Sequence, residues 1–285
     1  MSRVDHRGRH RERIAEVRAG RSSEHVPYPI LIRELEVLRT SRVGAGLIRV
    51  TLGGPGLAGF ATHVPDDHVK LIFPEDDGTL RIPEQDGLML RWPRPFPPNR
   101  EYTIRRHDAA AGELDIDIAC HPGGLGAGWA ETVEPGTPVH VAGPPGARVV
   151  PYVYDRYLLA GDLTALPAIA RWLEELPRTA SGWAFIEVAD AAQEIPLSAP
   201  EDVTVVWLHG TGHIEDAVQA VEVPAGERLY VWLAGEASAL KPLRRWIRDD
   251  LGLGPADHDV TGYWKLGVAD FDEDDEHEHH HDHAH

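Results

Sequence analysis

The sequence is short of the things that would place it in several common classes. It has a single cysteine, Cys120, so no internal disulfide can form, and the composition fits a reducing compartment. No run of about 18 apolar residues exists, which excludes a transmembrane helix. The Arg-rich start lacks an apolar core segment and does not read as a secretory signal. There is no excess of cations: the net charge is −18, which argues against nucleic acid as the main partner. No G-x-S-x-G or C-x-x-C occurs, and Cys120 and His121, being adjacent, would point to opposite faces of a strand. No internal repeat is present. These absences leave a cytoplasmic, globular chain, and 285 residues is enough for two domains.

What is present changes character along the chain. Residues 1–27 are polar, with seven Arg against four acids in the first 25, and read as a mobile arm or loosely held helix; Ile14 and Val17 are too few to bury a face. From Tyr28 short β-type runs follow one another: 30–38, 47–52, 68–73, 101–105, 113–119 and 138–142, punctuated by Gly, Pro and Asp. Short strands without crossover helices predict an antiparallel barrel over 28–150. Residues 151–268 alternate instead. Strands are expected at 157–160, 183–188, 203–208, 229–234 and 258–263, with helices from Leu166, at 213–221 and at 236–251. That alternation predicts a parallel sheet covered on both faces. Residues 269–285 form an acidic tail in which 270–285 carry eight acids, six His and no Lys or Arg. It reads as a solvated appendage whose His279, His280 and His281 are weak transition-metal candidates.

Three stretches carry chemistry. In Arg100-Glu-Tyr-Thr103 a cation, a ring and a hydroxyl share one strand; Arg100 and Tyr102 would face one way and Thr103 the other. That set can grip a phosphate and lie against a flat ring. Some twenty residues later, Gly123, Gly124, Gly126 and Gly128 let backbone N–H groups approach a ligand just before a helical turn, a pyrophosphate cradle. Gly54-Pro-Gly-Leu-Ala-Gly59 matches G-x-G-x-x-G, but Phe60-Ala-Thr-His-Val-Pro65 opens no helix, so it reads as a turn. In the second half, Gly161-Asp162-Leu-Thr164 and Ala234-Gly235-Glu236 join strand ends to helices, where open α/β sheets bind ligands and where Asp162 or Thr164 can cap a helix. Glu187, at a strand end, is a candidate for a ribose hydroxyl, which would favour NADH over NADPH.

Taken together, these pieces resemble the siderophore-interacting protein family, FAD-dependent ferric-siderophore reductases of the ferredoxin-reductase-like superfamily. The carriers are Asp67-His-Val-Lys-Leu-Ile-Phe-Pro74, Arg100-Glu-Tyr-Thr-Ile-Arg105, Leu114-Asp-Ile-Asp-Ile-Ala-Cys-His121, Ala142-Gly-Pro-Pro-Gly146, Leu159-Ala-Gly-Asp162 through Ile169, Trp232-Leu-Ala-Gly-Glu236 and Gly262-Tyr-Trp-Lys265. The resemblance implies a six-stranded antiparallel flavin-binding barrel followed by a parallel-sheet domain for NADH or NADPH. It implies that Arg100, Tyr102 and Thr103 hold the flavin end of FAD and its phosphates, that His121, Gly124, Gly126, Ala127 and Trp129 line the rest, and that Trp264 lies near the rings. Basic side chains, Lys70 and Lys265, would meet an anionic ferric chelate. Arg148 stands in for an arginine the family often carries after Gly-Pro, where this chain has Pro145. The chain is expected to act as a monomer. Two other readings stay open: a flavin reductase serving a protein partner or quinone, and a non-catalytic iron or siderophore carrier.

Overall fold

The computed structural model describes residues 7–268 and 271. In chain order the elements are α1 (His10–Arg18), β1 (Glu24–Pro27), β2 (Ile32–Val43), β3 (Leu47–Gly53), β4 (His68–Ile72), β5 (Glu84–Asp86), β6 (Met89–Arg91), β7 (Asn99–Asp108), β8 (Glu113–Ala119), α2 (Leu125–Thr132), β9 (Pro138–Ala142) and β10 (Gly146–Val149). They continue as β11 (Arg156–Asp162), α3 (Leu166–Glu175), β12 (Ser181–Val188), β13 (Asp202–His209), α4 (Ile214–Gln219), β14 (Leu229–Glu236), α5 (Ala237–Asp249) and β15 (His258–Trp264).

The first half closes into a barrel in the order β2-β3-β8-β7-β4-β9, every pairing antiparallel. Alternation along each strand turns Val50, Leu52, Val69, Leu71, Ile104, Leu114, Ile116 and Val141 inward, all fully buried. The Gly54 stretch is a turn into a short 3-10 segment, Pro55–Leu57, with no helix behind it.

The second half is a five-stranded parallel sheet ordered β13-β12-β11-β14-β15. Its strands are apolar on both faces because both are covered. Tyr157 and Leu159 face α3, with Leu166, Ile169, Trp172 and Leu173. Leu158 and Ala160 face α4 and α5, with Ile214, Val218, Leu240, Leu243 and Ile247. The order reverses at β11 and β14, so a crevice opens beyond their C-terminal ends.

Of the two expectations for the early chain, a mobile arm or a loosely held helix, residues 7–27 show the helix, and it is firmly held. Ile14 and Val17 are buried against Val26, Tyr28, Val64, Ala147 and Val149, and β1 pairs with β10. The sequence hid this because the helix buries only two side chains, and the rest of its attachment is polar: Arg13 bonds Glu24 and Arg18 bonds the His63 carbonyl. Between the halves, buried Arg171 of α3 donates to the Ile104 carbonyl and Thr62 Oγ1 at 2.9 and 3.1 Å, and Trp232 Nε1 donates to Asp66 Oδ2 at 3.2 Å. No helix among the described residues is long and apolar enough to cross a membrane.

Candidate functional site

The residues of Arg100-Glu-Tyr-Thr103 alternate as their strand demands. In the β4–β7 register Leu71 lies opposite Arg100, Lys70 opposite Glu101, Val69 opposite Tyr102 and His68 opposite Thr103. Tyr102 therefore turns towards the barrel core, where it packs beside Trp129 and Ile104, and towards α2. Burial pushes its hydroxyl up to about 12, with Arg100 pulling the other way, so Tyr102 stays a neutral phenol.

The approach of Tyr102 to α2 explains the glycines there. A Cβ on Gly126 would overlap the Tyr102 hydroxyl, and a Cβ on Gly124 would overlap the His121 ring, while Gly123 has φ +76°, where side chains are strained. Small residues keep the helix start close to the strand, and α2 has no side-chain cap. Its first N–H groups lack helical acceptors and carry partial positive charge. In front of them lies a cleft of about 800 Å³ lined by Phe73, Cys120, His121, Gly124 and Trp129 among others. Phe73 and Trp129 meet edge to face at 5.6 Å. An aromatic wall, exposed backbone donors and a nearby arginine suit a flat ring carrying phosphates, so the residues present fit FAD.

The crevice at the β11 and β14 ends is organised by Asp162. Its Oδ1 accepts from the Thr164 amide at 2.8 Å and the Thr164 hydroxyl at 2.5 Å; its Oδ2 accepts from the Glu236 amide at 3.0 Å and Trp264 Nε1 at 2.8 Å. Burial raises its pKa above the ordinary carboxylate value despite these donors. Gly235, at φ +145°, is needed because a Cβ there would sit 2.7 Å from Asp162 Oδ2.

One sequence expectation is corrected here, and two more acids are found engaged by backbone amides. Asp162 caps the 162–164 turn instead of helix α3, whose N-cap is Ala165 with no side-chain bond. Glu236 caps α5 through the Ala239 amide at 2.7 Å, and its other oxygen accepts from the Leu266 amide at 3.1 Å. Burial pushes its pKa up, but these amides outweigh it and hold it below the usual range. Glu187, expected at a ribose, accepts from the amides of His213 and Ile214 at 2.6 and 3.3 Å and so closes the start of α4.

The two halves meet at β7. Tyr263 of β15 hydrogen-bonds Thr103, and the Glu101 charge also acts on it; burial is the main cause of its strongly raised pKa. Lys265 follows two residues after Tyr263, just past the end of β15, and bridges to Val268. Lys70 Nζ lies 3.1 Å from Glu101 Oε1, with His68 Nε2 at 3.7 Å from the same oxygen. Sequence reasoning missed His68 and Glu101; the β4–β7 register was the one signal that would have paired them. Lys265 lies over the ring of Phe271.

Arg148 is not brought to this group. It pairs with Asp259 at 3.6 Å and donates to Ser23 Oγ at 3.1 Å. Asp259 is near the start of β15 and Lys265 beyond its end, about 20 Å along an extended strand. The register of β10 against β1 fixes this, because His25 stands opposite Arg148. The tail residues His279, His280 and His281 lie outside the described residues. No group of three or more His, Cys, Asp or Glu among the described residues is placed to hold a metal.

Comparison with known proteins agrees with this geometry. The model of the siderophore-interacting FAD-binding domain matches residues 36–148, and that of the siderophore-interacting protein matches residues 154–267. The chain belongs to the siderophore-interacting protein family. It is 37% identical to the NADPH-dependent ferric-chelate reductase of Escherichia coli over 86% of this chain and 97% of that one. It is 34% identical to ferric vibriobactin reductase ViuB of Vibrio cholerae, over 82% of this chain and 90% of that one. Among solved structures, a siderophore utilization protein from T. fusca superposes with a TM-score of 0.83 at 41% identity, covering 88% of this chain and 99% of the other. The family's FAD-binding domain coincides with the barrel and its glycine-lined cleft, so the chain is an FAD-dependent oxidoreductase of this family.

Proposed function

We propose that the protein is a ferric-siderophore reductase that takes electrons from NADH or NADPH and delivers them to chelated Fe(III), releasing Fe(II) for assimilation. The observation that carries this is the cleft of about 800 Å³ in front of the α2 start, whose lining fits FAD and which lies in the half that the FAD-binding domain matches. Arg171 of α3 joins that half to the parallel sheet, donating to the Ile104 carbonyl of β7 at 2.9 Å.

In this reading Arg100 meets the phosphates, Tyr102 and Thr103 meet the flavin end, and His121, Trp129 and the Gly124, Gly126 and Ala127 amides hold the remainder. The nicotinamide nucleotide binds at the β11 and β14 ends, by the Thr164 and Gly235 turns, with Asp162 and Glu236 fixing those turns and Trp264 beside them. Lys70 and Lys265 face the ferric chelate. FAD, bound there, supplies what side chains lack: it accepts a hydride and passes on single electrons. No side chain has to act as general acid or base. Fe(III) prefers hard oxygen ligands more strongly than Fe(II) does, so reduction loosens the chelate. Residues 28–150 and 151–268 are the two functional units, and the protein works as a cytoplasmic monomer.

The test is a spectrum and a turnover. Purified protein is expected to show flavin bands, to bleach on anaerobic NADPH or NADH, and to yield Fe(II) trapped by an indicator when a ferric siderophore is added. Protein that stays colourless after added FAD would overturn the proposal. Bleaching without Fe(II) would favour a reductase serving a protein or quinone.

A further inference from the structure

The charge around Lys70 is smaller than a lysine suggests. Lys70 Nζ and Glu101 Oε1 are 3.1 Å apart on directly opposed residues of β4 and β7, so the strand register itself delivers the carboxylate to the amine. The Glu101 side chain is 47% exposed, and His68 lies on its other side. Burial raises the Glu101 pKa, but His68 and Lys70 outweigh it, so the group is an anion at any ordinary pH. Lys70 is thus accompanied by a carboxylate within ion-pair distance, and the positive charge it offers an anion is largely offset. At longer range the net charge of −18 repels anions as well.

We propose that Glu101 sets the charge class of the substrate: the site takes neutral or weakly charged ferric chelates, such as tris-hydroxamates, in preference to trianionic tris-catecholates. This rests on the ferric-siderophore reading above and narrows it. A half-exposed ion pair contributes little and is easily displaced. A neutral chelate can accept hydrogen bonds from Lys70 while Glu101 stays in place. A trianion must approach the Glu101 carboxylate, whose repulsion at ~6 Å in a watery site is worth roughly a tenfold change in affinity per two or three charges. Glu101 sits between Arg100 and Tyr102, so its place in the site is fixed by the strand that holds the flavin.

The experiment measures binding, not turnover, so that it stands apart from the reductase assay. FAD-loaded, oxidised protein is titrated without any hydride donor against a neutral ferric tris-hydroxamate and a trianionic ferric tris-catecholate, read by quenching of tryptophan fluorescence. Wild type is expected to bind the neutral chelate more tightly. In Glu101→Gln the ratio of the two dissociation constants should fall about tenfold, and in Lys70→Gln it should rise; added salt should narrow the wild-type preference. Tighter binding of the trianion by wild type, an unmoved ratio in Glu101→Gln, or no binding of either chelate would each overturn the proposal. Fe(II) release in the separate NADPH assay would then show that the reductase reading survives without it.

Discussion

The two ligand-facing regions are built on opposite principles. On the barrel side the cleft is made by leaving side chains out: Gly124 and Gly126 let His121 and Tyr102 close in, and backbone donors at the α2 start stay exposed. On the α/β side the residues with ligating chemistry are present but already occupied. Asp162 accepts four hydrogen bonds, Glu236 caps α5, and Glu187 caps α4. Carboxylates at strand ends therefore shape the nucleotide crevice by holding its loops, while the flavin cleft is shaped by what is missing. A side chain's chemistry says what it can bind; its local backbone decides whether it is free to.

The comparison breaks most visibly at Gly126. Gly126→Ala places a methyl group on the Tyr102 hydroxyl, so flavin retained after desalting should drop below roughly a tenth of wild type; the parallel half should keep its far-ultraviolet signal, since α2 packs on the barrel. A smaller loss is expected at the hub. Asp162→Ala orphans the donors of Thr164, Glu236 and Trp264 and should cost on the order of 3 kcal/mol in urea unfolding, with flavin content largely kept.

Asp66, between the halves, tests the contrast by pH. Its carboxyl is pushed up to about 7 by burial first and by Asp259 and Asp67 next, against the Trp232 hydrogen bond, and its Oδ1 is buried without a partner. The folded pKa lies above the unfolded one, so folding binds the proton more tightly. Stability from this group is complete below about pH 4 and is lost as pH rises through 7. Asp66→Asn, neutral throughout, should gain on wild type over that window, by about 4 kcal/mol at pH 8, read as a difference between two urea curves. A mutant whose curve runs parallel to wild type would show that Asp66 ionises freely. The smallest effect is expected at Glu187. Glu187→Gln keeps an acceptor for the His213 amide, so the preference between NADH and NADPH should move less than about twofold; a carboxylate that bound ribose would move it tenfold or more.

Much of the fold was legible. All six barrel strands and all five parallel strands stand where alternation and apolar runs put them, because each buries a regular face. The ribbon of β1 and β10 and the hairpin of β5 and β6 were not, since each is three or four residues long and carries little apolar pattern. At the site, the strand at 99–108 and the glycine turn before α2 were legible because both announce themselves locally. Arg148 was misplaced because its partners, Ser23 and Asp259, are far off in sequence. Glu101 was overlooked inside a motif already quoted, because its importance comes only from the residue across the strand.

The early chain has one more lesson for protein engineering. Ser23 donates to the Ala256 carbonyl at 2.7 Å, Arg228 donates to the Arg21 carbonyl at 2.9 Å, and β1 zips onto β10. Residues 21–27 thus clasp the barrel and the parallel sheet together on the side away from the crevice. A chain trimmed to begin at Tyr28, where β-type sequence first appears, would keep both halves and lose the clasp. Any truncation meant to simplify crystallisation or expression should leave Arg21 and everything after it in place.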